Sequence, residues 1–218
     1  MNMSRCIIIT SYQSMPVREF FDFRQDDFII CADGGYSYAK AEDIRPRMII
    51  GDFDSADPGT IERDLERSGW NDCRIVRVPA EKDDTDTMLC LKYGIDQGFH
   101  QFFALGGLGG RLNHTVANLQ TAAYAADRGK SIWFLDGNNQ ATVRRPGKLT
   151  VSEADGFKLS LFSFGDRCEG VSIRGVKYPL DNHTLTNRFP LGVSNEFCGG
   201  AAEISHTAGN LLIILSQD

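Results

Sequence analysis

The sequence predicts an α/β protein in two parts: an N-terminal, mostly parallel sheet flanked by helices, then a C-terminal antiparallel β domain. Three observations predict it. Up to about residue 138, short β-branched apolar runs alternate with segments of helical period, the grammar of a parallel sheet covered by helices. After Asn139 the helical segments stop, and short alternating runs recur between Gly, Asn and Asp, as in a small sandwich or barrel. The early runs also end abruptly in glycine and aspartate, most clearly in Met48-Ile-Ile-Gly-Asp-Phe-Asp-Ser55. A boundary near 137–140 divides the chain into domains 1–138 and 139–218.

Residues 6–10 (CIIIT) have no helical period and form a first buried strand. A second, 28–32 (FIICA), ends in Asp33-Gly34-Gly35. Helical pattern over 36–42 closes at Arg45-Pro46, since a residue before proline is pushed out of the α region. The third strand is the apolar run that opens 48–55. Residues 58–68 carry Ile61 and Leu65 four apart, one face of a short helix ending at Gly69. A fourth strand, 74–78 (RIVRV), is stopped by Pro79. After Glu81-Lys-Asp-Asp-Thr-Asp86, Met88, Leu91 and Ile95 fall on one helical face, which places the acids in the first turn. Residues 101–105 are a fifth strand, 106–110 (GGLGG) a loop, 114–128 a helix whose Val116, Leu119 and Ala123 share a face, and 131–135 a sixth strand. The C-terminal strands are expected at 141–145, 148–151, 157–164, 170–174, 192–197, 201–205 and 211–215.

The net charge of -6 and pI near 5.2, with no Lys/Arg run longer than a pair, lack the basic footprint of a nucleic-acid binder. Six cysteines without a CxxC pair read as reduced thiols of a cytoplasmic protein. The N-terminus offers about five apolar residues in a row, too few for a signal-peptide core or a membrane span.

Ligands of open α/β sheets sit beyond the carboxyl ends of strands, where Asp52 and Asp54 fall. Their side chains share one face of an extended chain, leaving two carboxylates to hold one cation; the alternative is an Asx-turn in a solvated loop. Asp83, Asp84 and Asp86 crowd a helix start, where one of them or Thr85 could cap it. Three acids in four positions exceed what a cap needs, and their repulsion favours a cation nearby. Lys82 beside them is placed to hold a phosphate. Gly106-Gly-Leu-Gly-Gly110, between strand and helix, offers bare N–H groups to a phosphate. It fails GxGxxG at Leu112, and its alternative is a flexible turn. Arg111, Asn113 and His114 follow it. The four histidines have no zinc spacing. Two chemistries fit carboxylates at strand ends: a phosphatase with Asp52 as nucleophile, whose unbroken apolar approach Gly51 interrupts, and a nucleotide enzyme holding Mg²⁺.

Taken together, Ala32-Asp-Gly-Gly35, Gly51-Asp-Phe-Asp-Ser55, Asp83-Asp-Thr-Asp86, Gly106-Gly-Leu-Gly-Gly-Arg111 and Gly192-Val-Ser-Asn195 resemble, in order and spacing over nearly the whole chain, the thiamine pyrophosphokinase family. The resemblance implies transfer of pyrophosphate from ATP to the hydroxyethyl group of thiamine, giving thiamine diphosphate and AMP. It implies an α/β domain, a β-sandwich for thiamine binding and dimerisation, and a homodimer with sites at the subunit interface. Matched residue by residue, it implies Mg²⁺ held by Asp52, Asp54 and Asp86. Asp33, Gly34 and Gly35 would line the nucleotide site, with Lys82, Asp83, Gly109 and Gly110 beside the phosphates and Arg111 steadying them. Asp54 or Asp86 would accept the hydroxyl proton. Asn113, Ser194 and Asn195 would contact thiamine, the last two from the partner chain. Two departures stand out: Asn113 replaces an aspartate frequent in the family, and 210–214 has no tryptophan to stack on thiamine. The rival readings are a pyrophosphokinase for another hydroxymethyl heterocycle such as a pterin, the phosphatase, and a non-catalytic nucleotide or thiamine sensor.

Overall fold

The β-branched run Cys6-Ile-Ile-Ile9 forms β1 (Cys6–Ile9), and all four side chains are fully buried, as in a parallel strand covered on both faces. The computed structural model describes residues 5–53 and 58–218. Beside β1 run β2 (Phe28–Ala32), β3 (Met48–Gly51), β4 (Arg74–Arg77) and β5 (Gln101–Leu105), all parallel, in the order β5-β1-β2-β3-β4. Helix α1 (Gly35–Ala41) packs on β1 and β2, and α3 (Asp86–Asp96) on β1, β2 and β3. Two-residue periodicity sends Ile7 and Ile9 into one cluster with Tyr36 of α1 and with Ile61 and Leu65 of α2 (Pro58–Arg67), while Cys6 meets α3 near Gly94. The chain leaves β1 toward β2 on one side and reaches β5 on the other. That switch point is where open α/β sheets take their ligands.

The chain forms two units, Met1–Thr121 with Phe134–Gly137, and Ala122–Trp133 with Asn138–Asp218. Helix α4 (Leu112–Asp127) and strand β6 (Ser131–Asp136) pass from one to the other. In the second unit β7 (Asn139–Arg144), β9 (Lys158–Ser163), β12 (Gly192–Asn195) and β14 (Leu211–Ser216) are antiparallel, in the order β12-β9-β14-β7. A second antiparallel sheet runs β11 (Leu180–Thr186), β10 (Arg167–Arg174), β13 (Ala201–His206), β8 (Gly147–Ser152). Leu159, Leu161, Ile213 and Leu215 of the first share one core with Val171, Ile173, Ala202 and Ile204 of the second. This is a sandwich rather than a closed barrel.

Three expectations are corrected. Strand β11 has no apolar alternation, since Asp181-Asn-His-Thr184 is wholly exposed at a sheet edge. Helix α3 buries Leu91 of the expected stripe, but with Thr87, Cys90 and Gly94 rather than Met88 and Ile95, which are half-buried. Helix α4 buries Asn118, Thr121, Ala122, Ala125 and Ala126, leaving Val116 48% exposed. Small residues face inward on both helices, because the backbone can then approach its neighbours closely. Among the described residues no helix is long and apolar enough to cross a membrane.

Gly35 shows how tight that approach is. A Cβ there would lie 2.1 Å from the Ile9 carbonyl oxygen, which is backbone and cannot swing away. Gly35→Ala is expected to push α1 off β1 and cost about 1–3 kcal/mol, read as a lowered midpoint at unchanged slope in urea denaturation.

Candidate functional site

Beyond Ala32 the Asp33 N–H donates to the Ile50 carbonyl at 2.7 Å, extending the β2–β3 ladder by one bond. The backbone then turns through φ 42° at Asp33, a left-handed conformation that aspartate tolerates better than most residues. Asp33 Oδ1 accepts the Phe53 N–H at 3.3 Å, passing over Gly51, where a Cβ would come within 2.6 Å of that oxygen. Gly51, which interrupts the apolar run before Asp52, thus makes room for Asp33.

Lys82 joins the two acidic segments. Its Nζ donates to Asp52 Oδ2 at 3.0 Å and lies 3.0 Å from Asp86 Oδ1. Burial opposes the Lys82 charge, but its bonds to Asp86 and Asp52 outweigh that and lift the ammonium pKa above its ordinary value. Asp33 stands close enough to both acids to feel them. Burial first, then the Asp86 and Asp52 charges, raise its pKa, against backbone N–H bonds from Gly34 and Phe53. The crowded acids divide their work. Thr85 caps α3, accepting the Met88 N–H at 3.2 Å. Asp84 pairs with Lys92 at 2.7 Å, Asp83 is exposed, and only Asp86 occupies the first helical turn. Asp54 lies outside the described residues. Among those described, no group of three or more His, Cys, Asp or Glu comes together as a metal set, so the described part of the expected set is Asp52 with Asp86.

The glycine loop is held, not floppy. The Gly107 N–H donates to the Tyr12 carbonyl at 3.0 Å, and Asn118 Nδ2 donates to the Gly107 carbonyl at 2.9 Å. Asp136, 2% exposed, accepts the Leu108 N–H at 3.1 Å, the Ser14 N–H at 3.2 Å and the Ser14 hydroxyl. The Tyr12 ring lies along Gly109 and Gly110, where a Cβ would fall 2.7–2.8 Å from its carbons. With the Gly106 N–H donating to the Leu135 carbonyl at 2.6 Å, three of the loop's N–H groups are therefore spent inside the protein.

These segments enclose a cleft of about 620 Å³, lined by Asp33, Asp52, Thr85, Asp86, Gly107, Gly109, Gly110, Arg111 and His114, together with Thr10, Ser11 and Tyr12 after β1. That is the size of a ligand pocket. Arg111 and His114 hydrogen-bond each other at its rim. Gly35 lies buried in the first turn of α1, and Gly34 lines a neighbouring cavity of about 580 Å³ with Asp33, Tyr36 and Phe53. Asn113 is exposed and does not line the cleft.

Ser194 and Asn195 belong to the second unit, on β12. Asn195 lines a mostly apolar cavity of about 260 Å³ with Leu159, Tyr178 and Leu191. Its amide clamps Tyr178, accepting that residue's N–H at 3.0 Å and donating to its carbonyl at 2.7 Å. Ser194 sits at φ 55°, its N–H donating to Ser160 Oγ at 3.0 Å.

Sequence reasoning missed Thr10, Ser11, Tyr12, Asn118 and Asp136. Thr10-Ser-Tyr12 and Asp136 end buried strands and were open to the strand-end rule that singled out Asp52. Asn118 is mid-helix, and nothing in the sequence marks it.

The chain matches a family model described as thiamin pyrophosphokinase, catalytic domain, over residues 23–134, and one described as thiamin pyrophosphokinase, vitamin B1 binding domain, over 148–211. It is similar to the thiamine pyrophosphokinase of Bacillus subtilis, 27% identical over 176 residues, covering 80% of each chain. Among solved structures it is similar to thiamin pyrophosphokinase from Geobacillus thermodenitrificans, at 27% identity and TM-score 0.83, with 98% of each chain covered. The Bacillus subtilis structure superposes with TM-score 0.85 at 23% identity, over 99% of this chain and all of that one.

Two outcomes follow from the geometry. Asp136→Ala leaves three donors unmet and is expected to cost about 1–3 kcal/mol, with faster amide exchange confined first to 106–110. A carboxyl whose folded-state pKa is raised contributes stability when protonated, below its unfolded-state pKa, and loses it as pH rises through the folded value. Asp33→Asn keeps an acceptor for the Phe53 N–H, so it should be more stable than wild type at pH 7. That gain should close as pH falls below about 3.9, in urea titrations across pH.

Proposed function

The chain belongs to the thiamin pyrophosphokinase family, and we propose that it transfers pyrophosphate from ATP to the hydroxyl of thiamine, releasing thiamine diphosphate and AMP. The observation that carries this reading is the convergence of Asp52 and Asp86 on one cation opposite a rigid glycine loop, in a single ligand-sized cleft at the switch point of a parallel sheet. The reading is of a cytoplasmic enzyme, supported by six cysteines without a CxxC pair.

The donor set suits Mg²⁺. Asp52 and Asp86 present hard oxygens that already share one positive charge, and Asp54 would complete the set. These residues would hold Mg²⁺, whose chemistry would be to neutralise charge on the phosphates of ATP. Arg111 at the rim and the backbone of Gly109 and Gly110 orient the triphosphate, while Asp33, Gly34 and Gly35 shape the nucleotide end. Asp83, exposed at the approach to α3, adds field rather than contact. The thiamine hydroxyl attacks the β-phosphorus in line with the departing AMP, its proton passing to Asp54 or Asp86. Most of the rate then comes from positioning and charge neutralisation, since phosphoryl transfer asks little covalent chemistry of the protein.

Ser194 and Asn195 would form the thiamine end, Asn195 by holding Tyr178 in place. Tyr178, Leu191 and Val193, 45–61% exposed, line the cavity of Asn195. An apolar rim of that kind supports a homodimer in which each site is completed by the partner. Asn113 would offer an amide to the aminopyrimidine. The phosphatase, pterin and sensor readings are not favoured, because models of both the catalytic and the vitamin B1 binding parts match.

The test is AMP and thiamine diphosphate formation from Mg-ATP with and without thiamine. AMP that depends on thiamine supports the assignment, and thiamine-independent phosphate release overturns it. Asp52→Asn and Asp86→Asn should each lower turnover about 10²-fold or more while circular dichroism stays native. Near-normal AMP production by either variant would sink the carboxylate pair as the metal site.

A further inference from the structure

Phosphate binding alone does not explain where Lys82 rests. Its Nζ stands 3.0 Å from both Asp52 Oδ2 and Asp86 Oδ1, and the three side chains are only 15%, 18% and 25% exposed. It comes from the loop before α3, three positions ahead of the Thr85 cap and four ahead of Asp86, so its stem reaches back across the helix start to the end of β3. A divalent cation taken by Asp52 and Asp86 would need oxygens at about 2.0–2.1 Å. Two cations drawing on the same two carboxylates, a few ångström apart and shielded from solvent, repel strongly.

We propose that Lys82 is an internal counter-ion, holding the Asp52–Asp86 position in the nucleotide-free protein and yielding it when a divalent cation arrives with the nucleotide. The inference rests on the reading of Asp52 and Asp86 as metal ligands given above. It follows from charge balance. Without a cation, two facing carboxylates with Asp33 beside them would destabilise the strand ends; the ammonium removes that cost. A metal ion arriving alone must displace Lys82 and leave it without a partner in a part-buried pocket. A metal ion arriving with a triphosphate gives Lys82 new acceptors. Metal and nucleotide therefore bind with positive coupling, and by linkage each tightens the other.

The experiment is a titration of the full-length protein with Mn²⁺, followed by electron paramagnetic resonance, with and without α,β-methylene-ATP, whose bridging carbon blocks transfer. Without nucleotide, Lys82→Met is expected to bind Mn²⁺ about tenfold more tightly than wild type, within the usual range of coupling. The nucleotide should tighten Mn²⁺ binding more in wild type than in the variant. Lys82→Gln, uncharged but polar, gives the same reading should Lys82→Met not fold. If the Lys82 variants bind Mn²⁺ no more tightly than wild type while Asp52→Asn abolishes binding, the counter-ion is refuted and the metal site stands. If Asp52→Asn binds Mn²⁺ as wild type does, the metal reading itself falls, and this inference with it.

Discussion

Gathering Asp33, Asp52 and Asp86 at one edge of a sheet costs free energy unless positive charge stands among them. The backbone leaves little freedom to avoid it. Parallel strands in register deliver their carboxyl ends to the same edge, so whatever follows β2 and β3 must meet there. Asp33 is brought within reach of Phe53 only because Gly51 has no side chain. Asp86 is fixed in turn by the Thr85 cap, which sets where α3 begins. Three separate local rules, a ladder bond, a glycine gap and an N-cap, therefore end in one electrostatic problem. Lys82 is the answer among the described residues, and the pKa of Asp33 is raised by burial first and then by the Asp86 and Asp52 charges.

The opposite wall of the cleft follows a different logic. Phosphate loops are commonly pictured as bare N–H groups awaiting an anion. Here Gly107 and Leu108 spend theirs on Tyr12 and Asp136, and Asn118 takes the Gly107 carbonyl. The loop is consequently built before a ligand arrives, so little ordering entropy remains to oppose binding. Its glycines are needed for two reasons: positive φ at Gly106, Gly107 and Gly110, and the Tyr12 ring lying flat against Gly109 and Gly110. A buried carboxylate with three donors, as at Asp136, is well suited to such a support, because it is satisfied without any charge partner.

Much of this was legible in the sequence where a single strong local signal decided the matter. β-branched runs gave the parallel strands, the change of period after Asn139 gave the sandwich, and acids or glycines at strand ends marked the cleft. What escaped had no such signal. Strand β11 is an edge strand with four successive exposed polar residues, so pairing with β10 rather than burial makes it a strand. On α3 and α4 the largest apolar residues suggested the inward face, yet apart from Leu91 it is small residues, Gly94, Ala122, Ala125 and Ala126 among them, that pack. Hydrophobicity predicts burial when space is plentiful; where helix and sheet approach closely, small size decides instead. Asn118 is invisible for a related reason, since its partner is a backbone carbonyl eleven residues away that exists only once the loop has formed.

Gly51 bears on the choice between nucleophile and ligand for Asp52. A nucleophilic aspartate works best with one oxygen directed at open space and its negative charge lightly countered. Asp52 instead shares an ammonium with Asp86, beside a third carboxylate admitted by Gly51. Clustered anions around a shared cation raise the cost of leaving that cation out, and they gain nothing for attack on phosphorus, whose oxygens are themselves negative. The same clustering would suit a divalent ion, because a charge of two would offset the carboxylates and the phosphate oxygens together. The glycine that breaks the apolar run thus argues for charge neutralisation as the business of this edge, with attack left to the substrate.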